Sequence, residues 1–124
     1  MLRTIAIIFG IAFFVAGILG FIPSFTPNHE LFTIFHVNAL HNLIHLATGI
    51  IAFWVGCVSK QASRLFFQLF GIICAIFAIS GFFYGSQPIL GVIANNYADA
   101  WLYLLIALIA LYLGFKSVKK QIEL

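Results

Sequence analysis

Two histidines one helical turn apart, His41 and His45, share a stretch with Asn38 and Asn42, and Asp99 stands in a later stretch with Asn96 and Tyr103. Imidazoles at i and i+4 project from one face of a helix and can share a metal ion, with a carboxylate as third ligand and one position left open. The candidate metal ligands are therefore His41, His45 and Asp99. The same groups can instead form an interhelical hydrogen-bond network, or serve proton or quinone chemistry. No Glu follows His41, so the His-Glu-x-x-His pattern of zinc proteases is absent. Haem held by two histidines needs imidazoles that face each other across the porphyrin. All four histidines lie between His29 and His45, so one chain supplies an opposed pair only by folding the segment before Asn38 back, or by dimerising.

What surrounds these residues limits the choice. The chain has 124 residues, 64% apolar and 7% charged, with a mean hydropathy of +1.15. A water-soluble domain carries about 25% charged residues; this chain lacks the polar surface to stay dissolved, and a lipid bilayer is its expected solvent. The pI of 9.1 comes from six scattered basic residues, which excludes a nucleic-acid-binding patch.

Four apolar runs read as spans near 4–22, 38–58, 65–84 and 98–115 of a single transmembrane domain over 1–124, the last reached only by carrying Asp99 into the membrane boundary. A rise of about 1.5 Å per residue across a hydrocarbon core of about 30 Å requires roughly 20 residues per crossing. Thr26 to Val37, with His29, Glu30 and His36, reads as an interfacial loop, and Trp54, Tyr97, Trp101 and Tyr112 as interface anchors. Arg3, Lys60, Arg64, Lys116, Lys119 and Lys120 all fall at the termini or in the connection 59–64, and the loops 23–37 and 85–98 hold no Lys or Arg. The positive-inside rule then places both termini in the cytoplasm. The first run has no small-residue cut site before Pro23 and reads as a retained helix. Cys57 and Cys74 differ in depth by roughly 10 Å, beyond disulfide reach, and read as packing residues.

The halves look alike. An offset of 61 superimposes Arg3 on Arg64, Phe9-Gly10-Ile11 on Phe70-Gly71-Ile72 and Gly20-Phe21 on Gly81-Phe82; an offset of 58 superimposes Asn38 on Asn96, His41 on Asp99, His45 on Tyr103 and Trp54 on Tyr112. Two copies of one helical hairpin, over about 1–58 and 62–115, would be related by an axis along the membrane normal. That symmetry predicts His41 facing Asp99 and His45 facing Tyr103. Small residues at four-residue spacing, Ala12-Ala16-Gly20, Gly71-Ala75 and Ala110-Gly114, predict close helix packing.

The stretch VNALHNLIHLATGIIAF, paired with NNYADAWLYLLIALIAL, resembles the signature segments of an uncharacterised bacterial family of four-span membrane proteins, a domain of unknown function. The family motif Asn-x-x-His-Asn-Leu-x-His-Leu is matched by Asn38, His41, Asn42 and His45, and Asn-x-x-Asp-x-Trp-Leu-His by Asn96, Asp99 and Trp101. Tyr103 stands where the family more often has a histidine, which weighs against a symmetric four-ligand metal site. The resemblance implies a bacterial inner-membrane protein and brings no activity with it.

The expectation is thus an all-α integral membrane four-helix bundle of two repeated hairpins, N-in and C-in. Its polar cluster of His41, Asn42, His45, Asp99, Asn38, Asn96 and Tyr103 faces outward. The preferred function is a noncatalytic scaffold or accessory subunit, with lipid and other membrane subunits or a second copy as partners and no cofactor favoured. The alternative is a metal-, haem- or quinone-dependent redox protein using His41, His45 and Asp99.

Overall fold

A computed structural model describes the backbone of residues 1–122 and the side chains of residues 1–116. Lys119 and Lys120, counted above with the basic tail, have side chains outside the described residues. Four helices, α1 (Leu2–Gly20), α2 (Ala39–Val58), α3 (Lys60–Tyr84) and α4 (Tyr97–Ile122), are each long and apolar enough to cross a membrane. Only 22% to 28% of the most apolar stretch of each is buried inside the bundle, so the remaining apolar surface is left for lipid. α1 packs along α2 and α3 along α4, while α2 and α3 touch far less.

The two tight pairs are made by small residues. A Cβ on Gly10 would lie 2.6 Å from the carbonyl oxygen of Gly49, and one on Gly49 2.7 Å from that of Gly10, so at this crossing backbone meets backbone. In α1 the buried small residues are Ala6, Gly10, Gly17 and Gly20; Ala12, expected on that stripe, is exposed. Four-residue steps drift around a helix of 3.6 residues per turn, and steps of three and four together hold one face. In the second pair, Gly71 meets Leu111, Gly81 meets Ala100 and Gly114 meets Gln68.

At the end of the bundle that holds the N-terminus, Ser59 alone separates α2 from α3. Its backbone is extended, and its Oγ accepts from the Ala62 N–H at 3.0 Å, an N-cap that starts α3 at once. The sequence predicts a connection over 59–64 and a span from 65. The structure instead puts Lys60 and Arg64 in the first turns of α3. Arg3 donates from Nε to the Gly56 carbonyl at 2.9 Å and from Nη2 to that of Cys57 at 2.8 Å, satisfying carbonyls that the end of α2 leaves free. Leu2, Ala6, Phe67 and Ala110 form the buried apolar cluster nearby.

At the opposite end, called here the loop end, two short 3-10 turns (Pro23–Phe25 and Pro27–His29) lead into β1 (Glu30–Leu31) and β2 (Phe35–His36), an antiparallel hairpin. Phe32 and Thr33 have φ of 55° and 61°, two successive left-handed residues within a three-residue connection from Leu31 to Phe35. The later loop repeats the device: Ile89 bridges Ile93, with Leu90 at 54° and Gly91 at 77°. Ile34 N–H donates to the Leu31 carbonyl and Val92 N–H to that of Ile89, each at 3.1 Å.

Candidate functional site

The polar site is built where the two loops meet the first turns of α2 and α4. Asn38 is the N-cap of α2, its Oδ1 accepting from the His41 N–H at 2.9 Å. Asn96 does the same for α4, accepting from the Asp99 N–H at 2.8 Å, and the Asp99 carboxylate returns the bond from the Asn96 N–H at 3.1 Å. This is a capping box, with the carboxylate beside the positive end of the helix dipole.

With Oδ1 turned toward its own helix, each carboxamide presents its NH2 to the other hairpin. Asn38 Nδ2 donates to the Val92 carbonyl at 2.9 Å, and Asn96 Nδ2 donates to the Ile34 carbonyl at 2.8 Å. Both acceptors are the last residues of the left-handed turns. Each N-cap therefore grips the turn of the opposite loop.

Below this layer, His41 is 2% exposed. Its Nδ1 faces the His36 carbonyl at 3.2 Å, and its Nε2 faces His45 Nε2 at 3.1 Å and the Tyr103 hydroxyl at 3.2 Å. A carbonyl only accepts, so a neutral His41 carries its proton on Nδ1 and accepts at Nε2. Tyr103 O–H and His45 Nε2–H are then the donors. His45 Nδ1 is buried and has no partner among the described residues.

Asn42 belongs to a different contact. It is 2% exposed and lies over Gly20, where a Cβ would collide with its carboxamide. Its Oδ1 has no partner among the described residues.

Beside His45 a cleft of about 530 Å3 opens between α2 and α3. Phe13, Phe70, Phe77 and Tyr103 line it near the loop end, and Ile51, Val55, Leu65, Leu69 and Ile73 line the rest. Its mouth faces the lipid side, where Ile51, Leu65, Leu69 and Ile73 are about half exposed.

A family model described as Domain of unknown function (DUF4383) matches residues 3–116. The chain belongs to that family. No curated protein and no solved structure matches it. The matched stretch covers every residue of the site, so the clamp, the histidine pair and the cleft all lie within the DUF4383 domain.

Within this DUF4383 fold the seven predicted cluster residues do not form one group. His41 meets Tyr103 rather than Asp99, and His45 meets His41 rather than Tyr103. The reason is local: Asp99 is already held by the backbone at the start of its own helix. The candidate metal set His41, His45 and Asp99 is divided accordingly, and among the described residues no three of His, Cys, Asp and Glu gather into a metal-binding group. Asn95 lies outside the predicted cluster and bonds elsewhere. It is 1% exposed, and its Nδ2 donates to the carbonyls of Gly81 at 3.1 Å and Gly85 at 2.7 Å, closing the end of α3. A readable signal did exist for Asp99: Asn-x-x-Asp before an apolar run is a capping-box pattern.

Proposed function

We propose that this DUF4383 chain is a noncatalytic multi-pass protein of the bacterial inner membrane, a small scaffold or accessory subunit, whose polar cluster clamps two hairpin copies together at the outward-facing end. The observation that carries this reading is the exchange of bonds between Asn38 and Val92 and between Asn96 and Ile34. The two bonds are the same bond written twice, since both donors and both acceptors differ by 58 residues. Other contacts support the duplication. Gly10 on Phe53 corresponds to Gly71 on Leu111, Gly20 on Asn42 to Gly81 on Ala100, and Gly56 on Ile7 to Gly114 on Gln68. The orientation rests on the basic residues, of which Arg3, Lys60, Arg64 and Lys116 stand at the end away from the clamp.

The polar groups are largely spent on each other and on backbone, as a register-fixing device requires. A clamp of this kind leaves the exposed apolar sides of all four helices free for lipid and for neighbouring subunits.

In mild detergent extracted from native membranes, the protein is expected to migrate in an assembly larger than its own 13.8 kDa chain, and to show neither a visible chromophore nor one equivalent of metal after dialysis against chelator. Asn38→Ala and Asn96→Ala should each cost about 1 kcal/mol of stability by loss of the cap, and more where the clamp bond is lost with it. Migration as a lone chain, or a stoichiometric metal or chromophore, contradicts the proposal.

A further inference from the structure

The two loops of the clamp are gripped by the same kind of bond, yet they are not held equally. The first runs over 18 residues from Phe21 to Asn38, and the second over 12 from Gly85 to Asn96. In the second, Asn95 is buried and its Nδ2 donates to the carbonyls of Gly81 and Gly85, which ties the loop to the end of α3. The offset of 58 sets Val37 in that place in the first loop. A valine side chain has no donor, so the tie to the end of α1 is missing there. The first loop is held over the bundle by the buried side chains of Leu31 and Val37, by the bond from Asn96 Nδ2 to the Ile34 carbonyl, and by that from His41 Nδ1 to the His36 carbonyl.

The backbones differ as well. Asn28, His29, Phe32 and Thr33 in the first loop have φ between 55° and 62°. Among the described residues of the second, Leu90 alone shares positive φ with Gly85 and Gly91. The left-handed region costs free energy in L-residues; asparagine and histidine tolerate it best, and a phenylalanine or a β-branched threonine tolerates it poorly. Strain of this kind persists only where surrounding contacts hold it. For Phe32 and Thr33 the holding bond from another helix is the one from Asn96 to the next residue, Ile34.

We propose that the first loop is a gate over His41: it lifts when the bond from Asn96 to Ile34 opens, while the second loop stays in place. His41 is 2% exposed with the loop down. Its Nδ1–H is covered by the His36 carbonyl, which belongs to the strand that lifts. Opening therefore frees that N–H and uncovers the imidazole from the loop end. The bond from Asn38 to Val92 is the fixed half of the clamp, and the bond from Asn96 to Ile34 is the latch. Local opening is drawn from the least stable segment of a fold, and the longer, strained and untied loop is that segment here. The gate rests on the clamp bonds themselves, so a chain that scaffolds nothing would open in the same way.

Amide hydrogen exchange of the full chain in lipid nanodiscs reads the two loops separately. The Ile34 and Val37 N–H groups are bonded to the Leu31 and His29 carbonyls, and those of Ile89 and Val92 to the Ile93 and Ile89 carbonyls. Relative to intrinsic rates, the first pair is expected to exchange about tenfold faster than the second. Asn96→Ala should speed the first pair by about tenfold again and leave the second within about twofold. Diethyl pyrocarbonate should then modify His41 faster. Thr33→Gly, which relieves strain without touching the latch, should slow exchange at Ile34 and Val37 by about threefold, the opposite of what glycine does in an unstrained loop. It keeps the test available if Asn96→Ala does not fold. Equal protection of the two loops, exchange raised equally in both by Asn96→Ala, His41 no more reactive without the latch, or faster exchange in Thr33→Gly overturns the proposal.

Discussion

A carboxamide has an acceptor and a two-proton donor on opposite corners of one plane, and Asn38 and Asn96 use both corners at once. Aspartate could supply the cap alone, and lysine the reach alone. His41 is likewise committed on both ring nitrogens, to the His36 carbonyl on one side and to His45 and Tyr103 on the other. Interhelical bonds in membranes average about 0.6 kcal/mol and reach about 1.7 kcal/mol. A double-mutant cycle of His41→Ala with Tyr103→Phe, read by thermal or denaturant stability in detergent, should give a coupling in that range. The same cycle with Asp99→Ala in place of Tyr103→Phe should give a smaller coupling, because the Asp99 carboxylate bonds the Asn96 N–H rather than the His41 ring. Coupling in the second cycle and none in the first would mean that the bond pattern is wrong.

At the scale of elements, two devices recur in each half: a helix pair joined through glycine and a loop that ends in a left-handed turn. Gly49 is caught between the Phe14 and Gly10 backbones, with a Cβ there meeting Phe14 N at 2.6 Å. Backbone cannot yield as a flexible side chain does, so Gly49→Leu should cost about 3 kcal/mol or more and show as loss of a cooperative melt. The turns differ in chemistry. Gly91 takes its positive φ freely, whereas Thr33, its counterpart, holds φ 61° with a β-branched side chain. A left-handed non-glycine residue costs about 1–2 kcal/mol, partly offset by the greater freedom that glycine gains when unfolded. Thr33→Gly should therefore raise stability by about 0.5–1 kcal/mol, measured as a higher melting temperature. No gain would mean that the turn is not held as described.

At the scale of the whole molecule, strong pairing within each half and thin contact between α2 and α3 give two stiff hairpins joined at their ends. They are tied at one end by the Ser59 connection and at the other by the asparagine clamp, and the gap between them is the cleft. In the orientation proposed above, with the clamp outside and the basic residues inside, Leu90→Cys in intact cells should react with a membrane-impermeant maleimide. Lys60→Cys should react only after the membrane is broken. The reverse pattern would invert the orientation, and with it the side on which the clamp lies.

Composition and run length were enough to read four spans and an all-α membrane bundle from the residues alone, because hydrocarbon admits few ways to satisfy a backbone over some 20 residues. The offset of 58 also aligns Asn38 with Asn96, but the facing pairs that it predicts, His41 with Asp99 and His45 with Tyr103, are not the ones that bond. Which atom meets which was decided only in three dimensions. The Asn-x-x-Asp spacing admits both a cap and a metal ligand, and the choice turned on whether Asp99 reached its own backbone or a histidine across the bundle. The turn carbonyls that the asparagines grip leave no mark in the side-chain sequence, since every residue has the same carbonyl. The cleft is space between helices that pack less closely than their neighbours, and how closely two helices pack depends on both surfaces together.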